Sequence, residues 1–204
     1  MVEYNAPIRD YEFLFNEMFD ALPIVQNLGY DFDSDFLSML TEGWAEHAKE
    51  VWLPINQLGD RVGLKFDDGN IFMPEEFKSA YNENIEGGWL STACKTEHGG
   101  MGVPLFFQTV TWAEIGTSTN MAMSVLPALT LGVYDVLVEH GERELIDYFA
   151  SKLASGKWAG TMCLTEPHAG TDLGIISTKA VPQDDGSYRA VSYTHLTLPT
   201  ILLV

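Results

Sequence analysis

The chain has 204 residues, 46% of them hydrophobic, which is enough for one large domain or for one domain and part of a second. Its 29 acidic residues outnumber 11 basic residues and give a net charge of -18. This charge disfavours binding to nucleic acid and to anionic membrane surfaces, so we expect neither as a partner.

Two cysteines, Cys94 and Cys163, are too few for the disulfide framework of a small secreted protein, and neither belongs to a metal-ligand cluster. This usage fits a reducing compartment. The first residues lack the basic and apolar regions of a signal peptide. The sequence contains no uninterrupted run of about 18 apolar residues. We therefore expect a cytoplasmic protein without a membrane span.

The first half of the chain predicts helices. An amphipathic helix ended by Pro23 is predicted in an N-terminal extension, with apolar residues at helical spacing: Phe13, Leu14, Met18 and Leu22. A second helix is predicted over about residues 33–51, capped by Asp33 or Ser34 and closed by Pro54. Its apolar face comprises Phe36, Leu37, Leu40, Trp44, Ala48 and Val51.

Turn residues separate the next elements. Residues 67–70, Asp-Asp-Gly-Asn, lie between apolar flanks and predict a β-hairpin or a surface loop. Pro74 and the two glutamates that follow it predict the start of a helix that ends at Gly87 and Gly88. Three further helices are predicted at about residues 104–116, 120–140 and 142–154. Residues 31–157 therefore predict an all-α domain.

The pattern changes from helix to strand after residue 157. Strands are predicted over residues 158–164 and 175–181, with a turn at 184–187 before Tyr188. The predicted organisation is therefore an extension, a helical domain, the truncated start of a β domain and a tail, at residues 1–30, 31–157, 158–190 and 191–204.

Residues 160–172, Gly-Thr-Met-Cys-Leu-Thr-Glu-Pro-His-Ala-Gly-Thr-Asp, combine a short strand, a tight turn and exposed backbone amides. Pro167 fixes φ and removes a donor, and Gly170 lets a ligand approach the backbone because it has no Cβ. Thr171 adds a hydroxyl. Taken alone, the segment fits a buried strand followed by an ordinary turn. In its context it indicates a cofactor site.

This segment closely resembles the flavin-binding signature of the acyl-CoA dehydrogenase family. Residues 86–90, Glu-Gly-Gly-Trp-Leu, and 97–104, Glu-His-Gly-Gly-Met-Gly-Val-Pro, are similar to the loop that links two helices in the N-terminal domain of that family. His140-Gly141 precedes the signature at a similar spacing. Residues 4–10, Tyr-Asn-Ala-Pro-Ile-Arg-Asp, resemble the N-terminal extension of a large bacterial branch of the family.

The resemblance implies a mainly α fold, in which the all-α N-terminal domain of the family is followed by the first strands of an incomplete β-barrel middle domain. It implies a fragment of an FAD-dependent enzyme that oxidises acyl-CoA to trans-2-enoyl-CoA. The implied partners are acyl-CoA, an electron-transfer flavoprotein and, at full length, further copies of the chain. The sequence departs from the family after Arg189, and the tail is expected to be foreign to it.

The resemblance also implies site residues. The flavin match falls on five positions, with the first three at the pyrimidine edge of the isoalloxazine and the last two at the pyrophosphate: Met162, Leu164, Thr165, Gly170 and Thr171. Met162 stands where the family commonly has Tyr or Phe, which weakens stacking and leaves the backbone groups available. The acyl chain is implied to pass a helical stripe that could equally be core: Val125, Ala128, Leu129 and Gly132.

No residue of this chain is expected to be catalytic, because the glutamate base of the family lies beyond the matched region. The chain as given is therefore expected to be inactive. Glu166 is expected to accept hydrogen bonds from backbone amides of its turn. Two other functions stay open: an acyl-CoA oxidase, which shares the flavin turn, and a non-catalytic acidic helical module that binds another protein.

Two further patterns favour ordinary structure over metal sites. The acidic spacing of a calcium loop occurs, but Phe36 replaces the glycine that such a loop needs, so a helix start is expected at these residues: Asp31, Asp33, Asp35 and Glu42. His47 has no second histidine at metal spacing and is expected on a solvated helix face. His168 is expected in a turn exposed to water.

Overall fold

The computed structural model describes residues 3–190, and the predicted foreign tail lies outside the described residues. The chain divides into two compact units, the first ending at Thr161 and the second beginning at Met162. The first unit is mainly helical and includes one short hairpin. The second contains a tight turn and a β-hairpin.

The N-terminal extension contains two short helices instead of one. Helix α1, Ile8–Glu12, continues into a π-helical segment, Phe13–Met18, and helix α2 spans Ala21–Asn27. The break occurs at Asp20, which adopts a left-handed conformation with φ of 45°. The prediction that Pro23 ends a helix is therefore wrong. Pro23 lies in the first turn of α2, where a proline costs no intrahelical hydrogen bond.

Helix α3, Ser34–His47, begins as its sequence predicts. Asp33 is the N-cap residue, and its Oδ1 accepts a 2.8 Å hydrogen bond from the amide three residues later. The helical path continues through a π-helical segment, Ala48–Trp52, into helix α4, Leu53–Val62. Pro54 therefore does not close the helix as predicted, because it lies in the first turn of α4.

A short hairpin and a helix follow. Strands β1, Lys65–Asp67, and β2, Asn70–Phe72, pair antiparallel. Asp68 and Gly69 between them both have positive φ, of 45° and 78°, as a two-residue hairpin turn requires. Helix α5 spans Glu75–Glu86 and ends before the predicted glycine pair. The hairpin and this helix are confirmed.

Three long helices complete the helical unit. They are α6, Leu105–Thr119, α7, Met121–His140, and α8, Arg143–Ala154, close to the predicted bounds. Asn120 alone connects α6 to α7 and is 1% exposed. Its Oδ1 caps α7, and its Nδ2 donates a 3.1 Å hydrogen bond to the carbonyl of Trp52. A buried side-chain amide therefore fixes this connection.

Tryptophan side chains form the centre of the helical unit. Trp44 of α3 is 1% exposed. Its ring centroid lies 4.4 Å from that of Trp112, 4.8 Å from that of Trp52 and 5.7 Å from that of Trp89. Residues from α3, the π-helical segment, the loop after α5 and α6 thus meet at one side chain.

His47 packs against this aromatic cluster, so the prediction of a solvated helix face is wrong. Its ring centroid lies 5.7 Å from that of Trp44 and 5.7 Å from that of Trp89. Burial lowers the pKa of His47, and an interaction with Asn84 offsets this only in part. The imidazole is therefore held in a partly desolvated, aromatic environment that disfavours its charged form.

Helix α7 is long and apolar enough to cross a membrane by length and composition, although Asp135 and Glu139 interrupt its apolar residues. By length and composition, this helix is therefore an exception to the expectation that the chain has no membrane span. Core helices of soluble proteins have the same character. In the helical unit, α7 packs against α6 and α8.

The second unit contains little regular structure. Strand β3, Ala180–Pro182, pairs antiparallel with β4, Tyr188–Ala190, around the predicted turn at 184–187. The predicted strand at 158–164 is not formed, and the one at 175–181 is reduced to its last residues. No partner strand for 158–164 occurs among residues 3–190, and a strand needs one to pair its backbone groups.

Candidate functional site

The signature segment forms a tight, exposed turn in the second unit. Glu166 and Ala169 exchange two backbone hydrogen bonds of 3.1 Å, which close the turn. Residues on both sides of this bridge are exposed to solvent. They include all five positions for which the resemblance implies contacts with FAD: Met162, Leu164, Thr165, Gly170 and Thr171.

The turn offers backbone donors to a ligand. In the part of the chain that the structure describes, the amides of Gly170 and Thr171 donate to no backbone carbonyl. Nothing lies within 4 Å of the point that a Cβ on Gly170 would occupy. Successive free N–H groups beside a threonine hydroxyl suit an anion, because each supplies a donor at close range. These residues fit the pyrophosphate of a dinucleotide such as FAD.

The Glu166 side chain lies beneath this turn and is 6% exposed. Its Oε2 accepts hydrogen bonds from the amide and the hydroxyl of Ser177, at 3.1 and 2.8 Å. Its Oε1 accepts from the amide and the hydroxyl of Thr178, at 2.8 and 2.5 Å. Glu166 thus accepts backbone amides as expected, but the donors lie 11 and 12 residues further along the chain.

His168 is half-exposed, as the sequence analysis expects, and its Nε2 lies 3.2 Å from Oε2 of Glu166. The same nitrogen lies 3.3 Å from the hydroxyl oxygen of Ser177. His168 therefore interacts with the carboxylate group beneath the turn and also reaches solvent.

The helical unit contains an apolar cavity of about 410 Å³, partly open to solvent, among α3, α5, α6 and α7. Val125, Ala128 and Gly132 of α7 line it. Leu129, the fourth position of the predicted acyl stripe, is not among its lining residues. The structure therefore brings three of the four predicted residues to one concave surface.

Tryptophan side chains form an aromatic wall of this cavity, which was not predicted as part of a site. It includes Trp44, Trp52 and Trp112. Trp44 stands in the predicted apolar face of α3, which gives a signal for burial but none for a cavity. The three side chains come from separate elements, so their convergence is a tertiary feature that periodicity along one helix does not show.

The residues that line the cavity also include three with polar side chains, Asn84, Gln108 and Asp135. Burial raises the pKa of Asp135, and the negative charge of Glu139 raises it further. Gln108 donates a 3.1 Å hydrogen bond to the hydroxyl of Thr92. The lining is otherwise largely aliphatic and aromatic, which suits a hydrocarbon group better than a charged one.

Metal ligation has no support among the residues that the structure describes, where no group of three or more His, Cys, Asp or Glu side chains could hold an ion. The carboxylate of Asp33 caps α3 instead. The calcium-loop spacing is therefore a helix start, as the sequence analysis expects.

Known proteins provide a separate comparison. No family model matches the chain. It is 36% identical over 195 residues to 3-methylmercaptopropionyl-CoA dehydrogenase from Ruegeria pomeroyi, which covers 95% of this chain and 33% of that enzyme. It is 33% identical over 186 residues to a butyryl-CoA dehydrogenase from Syntrophomonas wolfei, covering 89% of this chain and 30% of that enzyme.

Among solved structures, the chain is similar to an acyl-CoA dehydrogenase from Bacillus anthracis complexed with FAD. The TM-score is 0.62 at 20% sequence identity, over 78% of this chain and 26% of that one. This similarity shows the fold, a helical domain of the acyl-CoA dehydrogenase type, which in this chain is followed by a short β-hairpin. The expected fold class is confirmed.

The fold defines the class of protein as one that carries a helical domain of the acyl-CoA dehydrogenase type. The sequence relatives are named acyl-CoA dehydrogenases, and the chain is similar to two of them over 95% and 89% of its own length. The resemblance carried by its motifs is thereby confirmed. The chain spans about a third of the length of the curated relatives that it matches.

Proposed function

We propose that this chain supplies the helical domain and the flavin-contacting turn of an FAD-dependent acyl-CoA dehydrogenase. The complete enzyme would oxidise an acyl-CoA to the trans-2-enoyl-CoA in the cytoplasm, pass electrons to an electron-transfer flavoprotein and assemble as a homo-oligomer. The observation that carries the proposal is the exposed turn at residues 165–171, with free amides at its tip and a buried carboxylate beneath it.

In this proposal the turn binds FAD through two groups of residues. The backbone of Met162 and Leu164 and the hydroxyl of Thr165 meet the pyrimidine edge of the isoalloxazine. The amides of Gly170 and Thr171 and the hydroxyl of Thr171 donate to the pyrophosphate, which carries the negative charge that such donors favour. When bound, FAD supplies the hydride acceptor for oxidation of the substrate.

The apolar cavity of the helical unit is proposed to take the acyl group. Its volume of about 410 Å³ and its apolar walls suit a hydrocarbon chain. Val125, Ala128 and Gly132 present small or medium side chains, so α7 leaves space for the chain. Asp135 in the lining disfavours a second negative charge, which favours an uncharged acyl end.

We propose that the proton-abstracting base comes from the part of the complete enzyme that lies outside the third covered by this chain. Glu166 is unsuited to this role, because four donors from Ser177 and Thr178 already occupy its carboxylate oxygens. A general base must reach the substrate proton within hydrogen-bond distance. We therefore propose that the present chain alone does not turn over acyl-CoA.

Gly170→Val tests the flavin assignment. We expect this variant to fold normally, because the space around Gly170 is open, and to lose FAD affinity by about tenfold or more, because the branched side chain keeps the pyrophosphate from the amides. The measurement is FAD fluorescence quenching during titration of the purified chain. Ala180→Val, at an exposed position of β3, is the matched control. Equal FAD affinity in both variants, or no FAD binding by the unaltered chain, would contradict the proposed function.

Val125→Phe tests the acyl assignment. The larger side chain fills part of the cavity, so we expect binding of a long-chain acyl-CoA to weaken by about tenfold, the cost of excluding one or two buried methylene groups. Tryptophan fluorescence reports binding, because three tryptophans line the cavity. Val136→Phe, exposed on the same helix and outside the cavity lining, should bind as the unaltered chain does. A similar loss in both variants would place the acyl group elsewhere.

A further inference from the structure

Glu166 joins two parts of the second unit that are distant in sequence. Each of its carboxylate oxygens accepts two hydrogen bonds, one from a backbone amide and one from a hydroxyl of the same residue. Oε2 serves Ser177 and Oε1 serves Thr178. Both oxygens of the carboxylate are thus engaged by two neighbouring residues, and Nε2 of His168 lies 3.2 Å from Oε2 as well.

These bonds close the segment 166–178 into a loop. At its start, the backbone bridge between Glu166 and Ala169 shapes the tight turn. In its middle, Oδ1 of Asp172 accepts a 3.0 Å hydrogen bond from the amide of Gly174 and caps a 3₁₀ turn at Leu173–Ile175. At its end, the Glu166 side chain holds the backbone of residues 177 and 178. The exposed donors of Gly170 therefore lie on a loop whose two ends are fastened to one carboxylate.

The negative charge of the Glu166 carboxylate is important for holding its four donors. A buried carboxylate is costly unless donors satisfy it, and bonds to a charged acceptor are stronger than neutral ones. Glutamine has the same shape but only one acceptor oxygen. Its amide nitrogen would face either the two donors of Ser177 or the two donors of Thr178. At least one backbone amide would then lose its acceptor, and the loop would open on that side.

We propose that Glu166 is a positioning residue for FAD: by holding Ser177 and Thr178, its carboxylate keeps the turn in the shape that presents the amides of Gly170 and Thr171 to the pyrophosphate. Glu166 itself does not touch the cofactor in this proposal. The inference rests on the proposed function, because it assigns a support to the same FAD contacts.

The test compares the unaltered chain with Glu166→Gln, Thr178→Val and the control Glu76→Gln. The control removes the same charge from an exposed position in the first turn of α5. Thr178→Val removes one hydroxyl donor and retains side-chain shape, so it weakens the fastening without removing the carboxylate. Amide hydrogen exchange and FAD titration are measured on each protein, with the absorption spectrum of bound flavin as a third readout.

We expect Glu166→Gln to speed exchange at the amides of Ser177 and Thr178 and to raise the FAD dissociation constant by about tenfold or more, the size expected when donors lose a charged buried acceptor. Thr178→Val should change both in the same direction by a smaller factor. Glu76→Gln should change neither. The bound flavin spectrum should shift in Glu166→Gln, because the turn no longer holds the ring edge in one geometry.

Normal FAD binding and spectrum in Glu166→Gln, beside normal binding in the unaltered chain, would overturn the positioning role alone. Absence of FAD binding in the unaltered chain would overturn the proposed function, and a changed exchange pattern would then leave Glu166 with a purely structural role. Glu166→Gln could lose protection from hydrogen exchange throughout the β3–β4 hairpin. In that case Thr178→Val is the deciding variant, and an unchanged FAD dissociation constant in Thr178→Val overturns the proposal.

Discussion

Replacing Trp44 with alanine is expected to lower the free energy of unfolding of the helical unit by about 3–5 kcal/mol, the cost of truncating a large buried aromatic side chain. Trp44 is 1% exposed and contacts Trp52, Trp89 and Trp112. Its indole Nε1 is buried and makes no hydrogen bond within the described residues, so the loss is one of packing alone. Urea unfolding followed by far-ultraviolet circular dichroism measures it.

Trp158→Ala is the matched control for this prediction. Trp158 is 38% exposed and contacts Tyr148, Phe149 and the Lys152 ammonium at the end of the helical unit. Its truncation removes less buried surface, and we expect a loss of about 1 kcal/mol. Equal losses in the two variants would mean that the tryptophan cluster is not the centre of the core.

The helices after residue 74 could be predicted closely because proline and glycine mark their ends. Pro74 and the Gly87-Gly88 pair bracket α5, and His140-Gly141 ends α7. The prediction of helix ends from proline was wrong where the proline lies early in a helix. Pro23 and Pro54 both occupy first turns, where proline is compatible with a helix that is only beginning.

The environment of His47 could have been predicted from its position. It follows Trp44 by three residues, and residues three apart on a helix share a face, so a histidine beside a core tryptophan is expected to be partly buried. The absence of metal-binding partners excludes one function for a histidine. It does not place the side chain in water.

The candidate site was predictable only in its local parts. The turn at Pro167 and Gly170 can be predicted from neighbouring residues, and the apolar stripe on α7 can be predicted from helical spacing. The donors to Glu166 lie 11 and 12 residues away, and no local pattern links a glutamate to a later Ser-Thr pair. The tryptophan wall likewise depends on how separate helices pack, which periodicity within each helix leaves open.

The loop at residues 89–104 shows how a sequence motif and a tertiary contact can coincide. The Tyr134 hydroxyl of α7 accepts a 2.9 Å hydrogen bond from the amide of Lys95 and lies 2.7 Å from Nδ1 of His98. Gly99 and Gly100 follow directly. This glycine pair contributes to the family resemblance. The structure shows a different physical reason for the absence of a side chain at each of the two positions.

Gly100→Ala is expected to destabilise the helical unit by more than about 3 kcal/mol, at the severe end of single substitutions. A Cβ at this position would overlap the carbonyl of Cys94 and lie 2.6 Å from the carbonyl oxygen of Ser91. Neither carbonyl can retreat without cost, because the Cys94 oxygen accepts a 2.9 Å hydrogen bond from Gly102 and the Ser91 oxygen accepts a 3.3 Å bond from Met101.

Gly99→Ala separates this steric cause from backbone strain. Gly99 has φ of 91°, and nothing lies within 4 Å of an added Cβ, so alanine there meets only the strain of the left-handed region, about 1–2 kcal/mol. Urea unfolding of the two variants should therefore rank Gly100→Ala well below Gly99→Ala in stability. The reverse order would mean that the loop opens readily around residue 100, and that the Cys94 and Ser91 carbonyls are not fixed by their hydrogen bonds.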